Sequence, residues 1–197
     1  MTDPRTLPND RFGYSVYALV AHASPEQVRM VDEVREAVGQ ERAVIPAHVT
    51  VRGTFHGIAS LDQMRALLRE TAGGLEPAQV TFGPGGWTIH PDGDRHSCGM
   101  PCVTTPALVS LHHAFDAVIR PRSVDAYGDG YRAHLTLFQD CAREQVQRAG
   151  AVVAGPDIGT GFEFDSVELM GRVGPAFGGE WVLIESFPLA PRPPQAG

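Results

Sequence analysis

Ala47-His48-Val49-Thr50-Val51 and Ala133-His134-Leu135-Thr136-Leu137 are two copies of one pattern: histidine, aliphatic, threonine, aliphatic. Each lies in a short run of β-branched and aliphatic residues, which favours a strand. Side chains alternate across a strand, so His48 and Thr50 share one face while Val49 and Val51 take the other. His134 and Thr136 stand in the same way opposite Leu135 and Leu137. An imidazole and a hydroxyl backed by buried aliphatics are costly unless their face lines a wet cleft. Two such faces meeting across one cleft bring together two histidines and two hydroxyls, a set suited to a phosphodiester.

The same alternation places Arg52 and Thr54 on the first polar face, and Arg132 and Phe138 on the second. Arg52 and Arg132 are therefore candidates to offset phosphate charge, and Phe138 is the candidate to meet a base or ribose. Tyr131 and Trp87 are weaker candidates, for which packing is the simpler role. A third histidine, in His22-Ala23-Ser24, lacks the aliphatic flanks of the pattern, and its serine is followed by Pro25, Glu26 and Gln27. That is a helix start, with Ser24 as N-cap, so His22 is set aside.

Outward from the motifs, residues 13–21 read as a strand, and Ser24 opens a helix to about Gly39 with Val28, Val31, Val34 and Val38 at helical spacing. After the first histidine strand (47–56), Ser60-Leu61-Asp62-Gln63 starts a helix to about Gly73. Residues 78–90 read as a strand, Pro91-Asp92-Gly93-Asp94 as a turn, and 96–104 as the returning strand. Thr105-Pro106 starts a helix to about Ile119, the second histidine strand covers 131–139, and Asp140 is expected to cap a helix to about Val153. Strands at 162–173 and 180–188 close the chain.

Each half thus runs strand, helix, histidine strand, helix, strand. The expected fold is α+β and pseudo-twofold: two antiparallel sheets line a central cleft, with helices packed outside. One domain at 12–188 is expected, with lobes of about 12–95 and 96–188 that are free to exchange strands. Residues 1–11 form an extension, and the Pro-rich end, 189–197, reads as a disordered tail.

Composition narrows the chemistry. All sixteen basic residues are Arg. The absence of Lys excludes Schiff-base chemistry, a lysyl-nucleotide ligase and a standard P-loop. A net charge of −7 argues against an extended footprint on duplex nucleic acid, yet leaves room for a nucleotide or a short RNA held by local arginines. No apolar run has the length of a membrane span, the N-terminus lacks a signal-peptide core, and three cysteines make no complete disulfide framework. A cytoplasmic monomer without membrane partner, metal or other cofactor is expected. A zinc site from His90, His96, Cys98 and Cys102 competes weakly, because no recognised ligand spacing appears. A cysteine nucleophile at Cys141 is the remaining rival.

The paired motifs resemble those of the two-histidine (2H) phosphoesterase superfamily, especially its 2′-5′ RNA ligase and cyclic phosphodiesterase branch. His48-Val49-Thr50-Val51 and His134-Leu135-Thr136-Leu137 match the two signatures without substitution, and the resemblance covers roughly residues 12–188. It implies a bilobal fold and metal-free chemistry on 2′,3′-cyclic phosphates or 2′-5′ linkages, with His48 and His134 as general acid and base. Thr50 and Thr136 would hold the phosphate. RNA ligation and non-catalytic nucleotide binding are the alternatives, and neither the natural substrate nor the acid and base assignments follow from the motifs.

Overall fold

The computed structural model describes residues 9–40, 45–84, 86–125, 130–152, 157, 159–175 and 179–191. Local signals place the helices. Ser24 Oγ accepts from the Gln27 N–H while Gln27 Oε1 accepts from the Ser24 N–H, closing a capping box before α1 (Pro25–Ala37). Ser60 caps α2 (Leu61–Gly73), and Thr105 caps α3 (Pro106–Ile119) with proline in its first turn. The fourth helix departs from expectation. The Asp140 carboxylate accepts from Arg95 Nε at 2.8 Å and its backbone takes a φ of 54°, so it caps nothing. The helix α4 (Arg143–Ala149) starts after Ala142, whose N–H donates to Gln145 Oε1 at 2.7 Å.

The strands are β1 (Val16–His22), β2 (His48–His56), β3 (Ala78–Thr81), β4 (Thr88–Asp92), β5 (Arg95–Pro101), β6 (Val124–Asp125), β7 (His134–Ala142), β8 (Gly161–Phe164), β9 (Ser166–Val173) and β10 (Glu180–Pro188). The stretch read as one strand at 78–90 is therefore two, β3 and β4. The turn after it is a two-residue hairpin, Gly93-Asp94, closed by the Asp92–Arg95 pair with Gly93 at φ 57°.

The large sheet runs β10-β9-β1-β2-β7-β5-β4, with β6 also on β2, and β3 pairs β8 in a small second sheet. All the pairings are antiparallel. At the centre, β2 and β7 share a single registered pair, Val49 with Leu135. The molecule is α+β, and the expected pair of sheets takes the form of two half-sheets joined edge to edge through the two histidine strands. Strands do cross between halves: β9 and β10, from the end of the chain, complete the half-sheet of β1 and β2.

One face of this sheet carries Tyr17, Leu19, Val49, Val51, Leu135 and Leu137, all buried against Val31 and Val34 of α1, Met64 and Leu68 of α2, and Leu108, Leu111 and Phe115 of α3. Each such side chain is worth roughly 1.5–3 kcal/mol in water exclusion. The opposite face carries a small apolar group, Ala18, Val20, Ile45 and Met170 with Trp181 packed against them, beside the polar motif residues. The ordered fold also passes the boundary expected at residue 188, since Leu189 is buried and the Ala190 N–H donates to the Leu75 carbonyl at 2.7 Å. The rest of that expected tail, from 192 on, and residues 1–8 of the N-terminal extension lie outside the described residues. Among the described residues, no helix is long and apolar enough to cross a membrane.

Candidate active site

The single β2–β7 pair decides the layout. Val49 lies opposite Leu135, so the antiparallel register sets His48 across from Thr136 and Thr50 across from His134. Val49–Leu135 is the one registered pair, so this placement is the continuation of its register by one residue to either side.

The two imidazoles are held alike. His48 Nδ1 lies 2.8 Å from the Pro46 carbonyl, and His134 Nδ1 lies 3.0 Å from the Arg132 carbonyl. A carbonyl only accepts, so Nδ1 carries the hydrogen in both rings, and Nε2 is the nitrogen left for chemistry. In both cases the partner is two residues upstream, in the segment that leads into the strand.

The flanking candidates behave differently, for one shared reason. In β2 the register with β1 slips after Thr50: Val20 pairs with Thr50, but Leu19 pairs with Arg52. In β7 the register with β5 slips at the same place: Gly99 pairs with Thr136, but Cys98 pairs with Phe138. A bulge of one residue reverses the faces beyond it. Arg52 is consequently buried, with its Nε 2.6 Å from Asp116 Oδ1 of α3, and it does not flank His48. Phe138 is fully buried in the same core as Leu135 and Leu137, so it cannot meet a substrate base. We predict that Phe138→Leu costs roughly 1 kcal/mol in denaturant unfolding and leaves KM unaltered. Arg132 is exposed and precedes β7, and its carbonyl orients His134. Tyr131 and Trp87 pack against the core.

Two further elements of the site carry no motif. Arg35, buried on α1, donates from Nε to the Leu137 carbonyl at 2.9 Å, from Nη2 to the Thr136 carbonyl at 3.2 Å and from Nη1 to the Ile45 carbonyl at 3.2 Å. It ties the segment entering β2 to the bulged centre of β7, satisfying carbonyls freed where those strands part. His22, set aside on sequence grounds, lies directly across β1 from His48, and their rings are 6.5 Å apart. Ser24 does cap α1, but that leaves the His22 ring free to sit beside the site. The available signal for Arg35 was a charged residue within the Val31, Val34 and Val38 stripe of α1. For His22 there was none without strand pairing.

Burial, followed by the neighbouring charges of His22, Arg35 and His134, pushes His48 from 6.5 down to about 3, against the pull of its bond to Pro46. A histidine kept neutral in the fold but free to protonate when unfolded favours unfolding as pH falls below its ordinary value. Stability should therefore drop between pH 6.5 and about 3, with His48 contributing on the order of 1 kcal/mol per pH unit. Chemical denaturation across that range should show a shallower slope in His48→Gln than in the wild type.

The rival chemistries find less. Cys98, Cys102 and Cys141 are free and buried, and burial raises all three thiols, Cys98 to about 11 and Cys102 to about 12. A thiolate nucleophile is thus disfavoured at each. Among the described residues no three His, Cys, Asp or Glu side chains are grouped to hold a metal ion.

Comparison with known proteins gives this geometry a setting. No curated protein matches the sequence. Among solved structures, TT0787 of Thermus thermophilus superposes with a TM-score of 0.61 at 16% identity, covering 90% of this chain and 99% of its own. E. coli LigT complexed with 3′-AMP gives 0.59 at 12% identity, with coverages of 88% and 97%. Kluyveromyces marxianus Usb1 gives 0.51 at 12% identity, with coverages of 90% and 100%. These likenesses are of fold. Residues 21–176, which span both histidine strands, match the 2′-5′ RNA ligase superfamily, and the chain belongs to that family.

Proposed function

We propose that this protein is a metal-independent phosphodiesterase acting on 2′,3′-cyclic phosphates or 2′-5′ phosphodiester bonds of nucleotides and short RNA. The supporting observation is the matched pair of imidazoles, each pinned through Nδ1 to a backbone carbonyl, on the two strands that meet at the Val49–Leu135 pair. Family membership and the 3′-AMP bound to the structurally similar LigT agree with a nucleotide as ligand. The net charge of −7 favours short substrates over long ones.

His48, kept neutral by its surroundings, is the base. Its Nε2 takes a proton from water as the water oxygen bonds to phosphorus. The bond from phosphorus to one ribose oxygen breaks, and His134 gives that oxygen the proton carried on Nε2. Thr50 and Thr136 donate hydrogen bonds to the non-bridging oxygens as charge builds on them. With a ribose 5′-hydroxyl in place of water, His48 takes the hydroxyl proton as its oxygen bonds to phosphorus and His134 protonates the departing ribose oxygen of the cyclic phosphate, which is the ligase reading.

A panel of 2′,3′-cyclic nucleotides and 2′-5′ dinucleotides, assayed with and without EDTA, tests this. Turnover of at least one class, unaffected by chelation, is expected. Binding without turnover across the whole panel would leave a nucleotide-binding module instead.

A further inference from the structure

One more ionisable side chain reaches the face that carries His48. His22 pairs with His48 across β1 and β2, its ring 6.5 Å away and inclined at 61°. Its Nδ1 lies 3.1 Å from Glu168 Oε2 on β9. The contact is an ion pair once His22 is protonated, and Nε2 is buried without a hydrogen-bond partner among the described residues. The duplicated fold does not demand this arrangement. The corresponding place beside His134 holds Pro101, which cannot ionise.

We propose that His22 and Glu168 form a positioning pair for His48: His22 takes the first proton offered to this end of the cleft and so extends to lower pH the range over which the His48 imidazole stays available as a base. The proposal rests on the reading of His48 as base. The groups that face the pair are Glu168 from β9 and His48 from β2, and Arg35 of α1 and His134 of β7 act on His48 from beyond it. Burial disfavours a proton on either ring, but His22 has a carboxylate to offset that cost. His22 therefore protonates first, and the resulting imidazolium opposes a second proton on a ring 6.5 Å away.

His22→Gln removes the charge and keeps a side-chain donor for Glu168. Two measurements read its effect: the acid limb of kcat/KM on a 2′,3′-cyclic nucleotide, and the titration of the His48 ring followed by NMR. Both midpoints should move to higher pH by roughly half to one unit. An unmoved His48 midpoint overturns the proposal, as does a uniform loss of rate without a shift, which would mark His22 as packing alone. The NMR titration needs no turnover, so failure of this proposal is distinguishable from failure of the phosphodiesterase reading. Should His22→Gln not fold, Glu168→Gln decides: the His22 midpoint falls toward that of His48, and an unmoved one overturns the proposal.

Discussion

His48→Asn and His134→Asn are each expected to lower kcat on the best cyclic nucleotide by about 10²–10⁴, the usual worth of one general acid or base. KM should change little, because on the proposed reading Thr50 and Thr136, which are unaltered, hold the phosphate. The reason lies in the geometry: each ring offers a single free nitrogen, Nε2, because Nδ1 is committed to the carbonyl of Pro46 or Arg132. Asparagine has no nitrogen that can accept and return a proton near neutral pH, so that step passes to water. Since proton removal and proton delivery belong to one displacement, the double variant should be little worse than either single one. Steady-state kinetics on the three variants checks this, and additive losses would mean that the histidines act in separate steps.

The largest structural effect should come from Arg35→Met. The substitution keeps much of the apolar stem but leaves the carbonyls of Ile45, Thr136 and Leu137 without their donor. Unsatisfied buried carbonyls, each formerly bonded to a charged group, imply a loss of about 3–5 kcal/mol. For a chain of this size that lowers Tm by roughly 10 °C. Arg35→Lys should recover only part of the loss, because one ammonium cannot reach three separated acceptors as a planar guanidinium does. The folded fraction of Arg35→Met should also lose kcat, since Ile45 precedes the Pro46 anchor of His48 and Thr136 is the phosphate donor proposed above. Calorimetry beside kinetics at low temperature separates the two losses.

Much of this could be read from the chain before its fold was known. The capping residues Ser24, Ser60 and Thr105 announced three helices, and His-aliphatic-Thr-aliphatic announced both site strands. Strict alternation then carried Arg52 and Phe138 onto the wrong face, because a bulge costs one residue and leaves no mark in composition. That the slip recurs after the same motif position in both halves is a property of the duplicated strand, visible only in its register. Asp140 resembled a helix cap but is held by Arg95 from the neighbouring strand. His22 and Arg35 were hidden for a related reason: both act through partners distant in sequence, Glu168 and the carbonyls of β7, which only the sheet order brings near.

Catalysis as proposed requires the Nε2 atoms of His48 and His134 to address one phosphorus centre. Ring-nitrogen NMR of the wild type during titration with a 3′-nucleotide addresses this directly. The Nε2 signals of His48 and His134 should shift together along one binding curve, while both Nδ1 signals keep their hydrogen. A shift confined to one histidine, or two curves with different midpoints, would contradict the shared site.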